Sequence, residues 1–146
     1  MIPKKIHYCW FGGNPKPKLA EKCFRSWKKY CPGYEIIEWN EDNFDVNSIP
    51  YTEQAYEAKK YAFVSDYARF WILYKYGGLY FDTDVEVIAP LDGIIKDGAF
   101  LGIECQNLDQ ITVNPGLGFG AEPQKAAIGD ILKQYERFHF INDDGS

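Results

Sequence analysis

Residues 64–84, VSDYARFWILYKYGGLYFDTD, combine a helical pattern, a glycine stop and a short apolar strand that ends at two aspartates. Apolar side chains recur at helical spacing after Ser65, and serine favours the N-cap position, so the sequence predicts a helix beginning there. Gly77 ends that helix, because a left-handed C-cap costs glycine almost nothing. The next residues, 79–81, are apolar enough to form a buried strand.

The two aspartates, Asp82 and Asp84, are spaced to bind one cation. Side chains two apart in an extended chain share a face, and open α/β sheets bind ligands at the carboxyl ends of their strands. Carboxylates suit Mg²⁺ or Mn²⁺, which take substrate phosphates as further ligands. About one Asp-x-Asp is expected by chance in such a chain, so a solvated surface pair is the alternative. The position after a buried strand favours a metal that binds a diphosphate.

The composition describes one globular domain. The chain has 146 residues, of which 46% are hydrophobic and 17% aromatic, enough for a substantial core. Its net charge of -5 argues against nucleic-acid binding and favours anion binding through a bridging metal. Four cysteines, Cys9, Cys23, Cys31 and Cys105, form no CxxC pair, so we expect a reduced, cytoplasmic location. No segment resembles a signal peptide or a membrane span.

The first part of the chain predicts a strand at 5–10, an amphipathic helix at 17–30 and a strand at 34–39, which is the unit of a parallel sheet. A glycine-rich turn follows the first strand. Trp10 beside that turn is either a base-stacking residue or a packed aromatic. His7 has no histidine near it in sequence, so we expect a packed residue and not a metal ligand.

The helix at 17–30 carries an apolar side, Leu19, Cys23, Trp27 and Tyr30. Basic residues crowd the rest of its surface, namely Lys18, Lys22, Arg25, Lys28 and Lys29. A solvated face is the simpler interpretation of these charges. The functional alternative is a weak contact with anionic lipid or acceptor, at the inner face of a membrane.

The remaining pattern is less regular. Pro50 predicts irregular chain at 45–52, followed by a helix at 53–61 that breaks near 62–64. After the aspartates we expect extended chain at 85–88, one helical turn or a loop at 91–97, strands at 99–104 and 116–121, and a helix at 124–138. The inward residues of that last helix are Ala127, Ile128, Ile131, Leu132 and Tyr135. Residues 141–146 show no terminal element, so we expect the chain to be cut from a longer protein.

Asp66 and Arg69 lie three residues apart within the aromatic helix. Charged residues in such a helix are rarely buried without a partner, so they form either a structural ion pair or a sugar-binding pair facing the metal.

Three segments in order, IPKKIHYCWFGG, FVSDYARFWILYKYGGLYFDTDVEV and NPGLGFGAEP, resemble glycosyltransferase family 32, the group with the Asp-x-Asp sugar-binding region. That group includes capsular polysaccharide and lipopolysaccharide sugar transferases and is similar to yeast α-mannosyltransferases and clostridial glucosylating toxins. The resemblance implies an α/β GT-A domain over residues 1–146, a mixed sheet flanked by helices, which lacks a C-terminal acceptor-side part. It also implies retaining transfer of a hexose from a UDP- or GDP-sugar to a glycan or lipid-linked glycan, with Mn²⁺ or Mg²⁺.

The resemblance further implies roles for individual residues. Trp10 stacks on the donor base, and Tyr80 lies by the nucleotide. Ser65, Asp66 and Arg69 hold the donor sugar. Asp82 contacts ribose and metal, and Asp84 binds the metal directly. Catalysis would therefore depend on Asp66, Arg69, Asp82 and Asp84, with further donor or acceptor contacts expected at 114–120.

Two other functions fit parts of the pattern. Haloacid-dehalogenase-like phosphohydrolases also place Asp-x-Asp after a buried strand, although Glu86 stands where they usually have threonine or valine. A non-catalytic fragment that binds nucleotide sugars is the third possibility.

Overall fold

The computed structural model describes residues 1–107 and 110–141, and of 104–107 and 110–112 it describes the backbone alone. The strands are β1 (Lys5–Cys9), β2 (Glu35–Trp39), β3 (Gly78–Tyr80), β4 (Phe100–Leu101), β5 (Ile103–Asn107), β6 (Gln110–Val113) and β7 (Phe119–Ala121). The helices are α1 (Lys18–Tyr30), α2 (Pro50–Glu57), α3 (Tyr61–Tyr76), α4 (Asp92–Ile95) and α5 (Ala126–Arg137), with a 3-10 turn at Pro115–Leu117. The expected cut end at 142–146 lies outside the described residues.

The main sheet has five strands in the order β2-β1-β3-β7-β4, and β5 and β6 form a separate antiparallel hairpin. Strand β1 runs parallel to both β2 and β3, whereas β7 runs antiparallel to β3 and to β4. The predicted strand, helix, strand unit is therefore confirmed within a mixed sheet. Because β1 and β3 are parallel neighbours, the chain leaves both strands at the same edge.

Both faces of the sheet are covered, and adjacent side chains on one strand enter different cores. Leu79 belongs to the same core as Trp27 of α1, while its neighbour Tyr80 belongs to the core that contains Val64 and Ile72 of α3. This alternation is the two-residue period of a strand. The apolar segment 79–81 is buried, as predicted from its composition.

The helix boundaries correct three predictions. Helix α3 begins at Tyr61, so Ser65 is an interior residue whose hydroxyl donates to the Tyr61 carbonyl at 3.2 Å. The break between helices lies at 58–60, not 62–64, and Lys59 there adopts a left-handed φ of 60°. Pro50 starts α2, because the first helical position needs no N–H donor. Gly77 ends α3 as predicted, with its N–H donating to Leu73 O at 2.9 Å.

The buried faces of two helices also differ from the predicted ones. On α1, Leu19 is exposed and Ala20 is buried in its place. Ser26 joins the buried side because its hydroxyl accepts the Val87 N–H at 2.9 Å. On α5, Ala127 is exposed, whereas Ile128 is buried as predicted.

The segments after the aspartates contain more turns than predicted. The chain turns at Thr83 and Asp84, with the Val85 N–H donating to Asp82 O at 3.1 Å, and the predicted extended segment 85–88 follows this turn without joining a sheet. Of the two alternatives expected at 91–97, a helical turn or a loop, the structure shows the turn, which is α4. Gly102 separates β4 from β5, and the 3-10 turn precedes β7, so both predicted strands are interrupted. None of the helices in the described ranges has the length and apolar character needed to cross a bilayer.

Candidate active site

A cleft of about 440 Å³ opens at the edge of the sheet where β1 and β3 end. Its walls also include the first turns of α3, and a cleft of this size suits a small-molecule ligand. The predicted site residues in its lining are Trp10, Ser65, Asp66, Asp82 and Asp84. Two others, Arg69 and Tyr80, are absent from the lining and lie behind it.

The parallel pairing of β1 and β3 explains this convergence. His7 of β1 is in register with Tyr80 of β3, so the chain emerges after each at the same level. Trp10 follows one strand and Asp82 follows the other. The two residues are far apart in sequence and reach one cleft because two adjacent strands end there.

A glycine turn fixes the tryptophan side of the cleft. The Trp10 indole N–H donates to Asn14 O at 2.7 Å, which holds the half-buried ring in place. Gly12 has a left-handed φ of 92°, and a Cβ there would overlap the ring of Tyr61. Glycine at this position therefore lets α3 approach the loop closely enough to form a wall.

Asp82 is held from three directions. The Tyr80 hydroxyl donates to Asp82 Oδ1 at 2.9 Å, and Arg69 Nη1 lies 4.0 Å from the same oxygen. The Asp82 N–H donates to Gly116 O at 3.0 Å, and a Cβ on that glycine would overlap Asp82 Oδ2. Tyr80 is buried, so its link to the cleft runs through this carboxylate.

Burial raises the pKa of the Asp82 carboxyl, and the negative charges of Asp84 and Asp66 raise it further. The Tyr80 hydrogen bond and the Arg69 guanidinium oppose that rise. A carboxylate under such a penalty gains more than a surface one from a bound cation.

Asp66 and Arg69 form the ion pair of the first predicted interpretation, and sugar binding by them stays a prediction. Arg69 Nη2 lies 2.7 Å from Asp66 Oδ1, so the two form an ion pair, and Asp66 also lines the cleft. Burial raises the pKa of the Asp66 carboxyl, while the guanidinium opposes the change. The Arg69 side chain is only 11% exposed, and its buried Nε lacks a hydrogen-bond partner among the described residues.

The donor set of the cleft fits a divalent cation. Asp66, Asp82 and Asp84 all line the cleft, and the guanidinium of Arg69 lies beside Asp66. In the part of the chain that the structure describes, no group of three or more histidine, cysteine, aspartate or glutamate residues could hold a metal. Mg²⁺ and Mn²⁺ do not require one, because one or two carboxylates and substrate phosphates suffice. Asp82 and Asp84 are the residues that would hold the ion.

Residues 17–101 match the family described as the glycosyltransferase sugar-binding region containing the DXD motif. The chain belongs to this glycosyltransferase family. Membership confirms the family that the three sequence segments indicated. It also favours a transferase over the phosphohydrolase alternative.

Three relatives accompany the family match. Inositol phosphoceramide mannosyltransferases 3 and 1 of Schizosaccharomyces pombe are 33% and 28% identical, and each match covers 68% of this chain. The match covers 29% of the first relative and 33% of the second. Subversion of eukaryotic traffic protein A of Legionella pneumophila is 30% identical over 68% of this chain and 20% of its own. The chain therefore matches about a third or less of the length of these relatives.

A solved structure shows the same fold. The PaToxG glycosyltransferase superposes with a TM-score of 0.69 at 20% identity, over 90% of this chain and 59% of that one. Together with the mixed sheet and its flanking helices, this match confirms the predicted GT-A-like α/β fold.

Sequence reasoning missed several residues of the glycosyltransferase cleft. Cys9 and Tyr61 line it, although neither was a candidate. Gly116 was predicted only as part of the range 114–120. The structure gives it a specific role, which is close contact with the Asp82 carboxylate. Alternating glycines in that range were the available signal, since glycine in such a pattern indicates close approach of another group.

We expect Gly116→Ala to displace Asp82. The new methyl group would overlap Oδ2, and overpacking of this kind costs about 1–3 kcal/mol. Thermal unfolding should therefore shift to lower temperature, and Mn²⁺-dependent nucleotide affinity should fall. Gly93→Ala is the matched control, because a Cβ there meets no atom within 4 Å. Equal behaviour of the two variants would contradict the contact.

Proposed function

We propose that this chain is a metal-dependent, retaining glycosyltransferase that moves a hexose from a UDP- or GDP-sugar to a glycan or lipid-linked glycan. The observation that carries the proposal is one cleft lined by Trp10, Asp66, Asp82 and Asp84. A base-stacking aromatic, a sugar-binding carboxylate and two metal-binding carboxylates are what a nucleotide-diphosphate sugar requires.

The cleft divides between the two ends of the donor. The half-buried Trp10 ring would stack on the base, and its bond to Asn14 O keeps that ring from turning. Ser65 and Asp66 stand on α3 at the opposite wall, where they would accept or donate hydrogen bonds to sugar hydroxyls. Arg69 holds the Asp66 carboxylate in one orientation.

Asp82 and Asp84 would hold Mn²⁺ or Mg²⁺ at the diphosphate. When bound, the ion neutralises the charge that develops on the departing diphosphate. The protein contributes a fixed Asp82 carboxylate, because Tyr80 and the Gly116 backbone both restrain it. Two relatives are named mannosyltransferases, which supports a hexose donor.

We further propose a cytoplasmic location and a role in surface polysaccharide synthesis, of the capsular or lipopolysaccharide type. The cysteines whose side chains are described, Cys9, Cys23 and Cys31, are free and buried, which suits a reducing compartment. An acceptor attached to lipid would bring the protein to the inner face of the membrane.

Isothermal titration of UDP and GDP tests the metal role. We expect Mn²⁺ to raise the affinity of one nucleotide at least about tenfold, or 1.4 kcal/mol. Asp84→Asn should abolish that gain and leave metal-free binding intact. The control is Asp92→Asn, an exposed aspartate outside the cleft lining. Affinity that does not respond to metal would refute the proposal, and metal-dependent binding without turnover would indicate a binding fragment.

A further inference from the structure

One exposed face of α1 carries a row of cations. Lys18, Lys22, Arg25 and Lys29 follow the spacing i, i+4, i+7 and i+11, which places them along one side of a helix. All of them are exposed, and the buried side of α1 lies around the helix from them. At the rise of an α-helix, the row is roughly 16 Å long. We call it the basic row.

Acidic groups offset only part of the positive charge of the basic row. Glu21 is the single acidic residue of α1, and it precedes Arg25 by four positions. In the segment that follows the two aspartates, Glu86 Oε2 lies 3.6 Å from Lys22 Nζ, and both side chains are largely exposed. A surface pair of this length contributes little energy. The row therefore keeps a positive surplus on a chain whose net charge is -5.

Exposed apolar side chains flank the basic row. The Trp27 indole N–H donates to Val85 O at 2.8 Å, and the Val87 N–H donates to Ser26 Oγ at 2.9 Å, which fixes segment 85–88 against α1. A shallow depression of about 240 Å³ lies between α1 and segment 85–88. Ile88, on the rim of this depression, is 79% exposed. Leu19, near the start of α1, is 53% exposed.

We propose that the basic row, together with Leu19 and Ile88, binds the surface of a membrane that contains anionic lipids. Basic residues within reach of an anionic leaflet each contribute about tenfold or less to binding, and apolar neighbours enter the headgroup boundary. A single free phosphate would occupy the depression beside Arg25 and leave Lys18 and both apolar side chains unused. The length of the row and its apolar flank fit a bilayer better.

The position of the basic row relates it to the cleft. The chain passes from Asp84, which lines the cleft, to Glu86 and Ile88, which border the depression beside the row. A membrane bound there would lie beside the metal end of the cleft. The inference depends on charge and exposure alone, so it can fail while nucleotide binding succeeds, and the reverse also holds.

Vesicle co-sedimentation tests the inference with the 146-residue chain. We expect binding to phosphatidylcholine vesicles containing 30% phosphatidylglycerol and little binding to pure phosphatidylcholine. Lys22→Gln, Arg25→Gln and Lys29→Gln combined should lower the partition coefficient at least about tenfold. Lys96→Gln, Lys133→Gln and Arg137→Gln combined remove equal charge from exposed sites away from the depression, and should change it less than about twofold.

Two further measurements separate the alternatives. Ile88→Ser should weaken binding without changing net charge, which a purely diffuse electrostatic attraction would not predict. Inorganic phosphate at matched ionic strength should compete no better than chloride if the bilayer is the ligand. Equal loss in the two triple variants, absence of binding to anionic vesicles, or selective competition by phosphate would each overturn the inference. Circular dichroism of every variant confirms that α1 is retained.

Discussion

Asp82→Asn should lower sugar transfer by about 10²–10³-fold without lowering stability. Asparagine keeps the shape of the side chain and can still accept the Tyr80 hydroxyl, so the local geometry should persist. It removes a charge whose burial raises the carboxyl pKa, and hence a charge that the folded state disfavours. We therefore expect activity to fall while the melting temperature stays the same or rises. Rates with UDP- and GDP-sugars, measured beside thermal unfolding, provide the comparison.

Two matched variants sharpen this expectation. Tyr80→Phe removes the hydroxyl that restrains Asp82 and keeps the ring in the core, so we expect a smaller loss of about tenfold. Asp97→Asn removes an exposed aspartate and should leave the rate unchanged. Parallel loss of activity and stability in Asp82→Asn would show that Asp82 is a structural residue.

The convergence of the site could be predicted because it depends on local chemistry at strand ends. Trp10 and Asp82 each follow an apolar strand. Neighbouring parallel strands end on the same side of a sheet, so the pattern predicts that these two residues line one cleft. The Gly116 contact could not be predicted in the same way. Gly116 lies far along the chain, and the pairing of Tyr80 with Phe119 is what brings it to Asp82.

The predicted helix boundaries were wrong at residues whose type suits more than one position in a helix. Ser65 is a good N-cap by type, yet inside α3 its hydroxyl instead bonds back to the Tyr61 carbonyl. Pro50 excludes a helix interior but suits a helix start, and sequence alone does not distinguish these positions. The break before α3 occurs at Lys59, which has a left-handed backbone conformation. A lysine in the sequence does not indicate that conformation, because residues other than glycine adopt it rarely.

His7 was predicted to be a packed residue, and the structure confirms that it is buried. Its Nδ1 accepts the Trp39 indole N–H at 3.0 Å, and its Nε2 donates to Gly77 O at 2.9 Å. The ring therefore links β1 to β2 and to the end of α3 as a neutral imidazole. Burial lowers the pKa of His7 to about 4, with a smaller contribution from Lys5, while the Gly77 bond opposes the change.

This neutral histidine should make the protein less stable in mild acid. The folded pKa of about 4 lies below the ordinary 6.5, so the unfolded chain takes up a proton first as pH falls. The contribution of neutral His7 to the free energy of unfolding is fully present above pH 6.5. It decreases by about 3 kcal/mol as the pH falls to 4. Urea unfolding at a series of pH values from 7 to 4 measures this loss.

The exposed His139 supplies the control for His7. His139→Gln should keep the loss of stability between pH 6.5 and 4, whereas His7→Gln should reduce it, because glutamine does not titrate and its amide can still donate to Gly77 O. Should His7→Gln fail to fold, NMR titration of the His7 ring in the parent protein gives the pKa directly. A pKa near the ordinary 6.5 would contradict the prediction, because the folded and unfolded chains would then take up the proton at the same pH and His7 would cause no loss of stability.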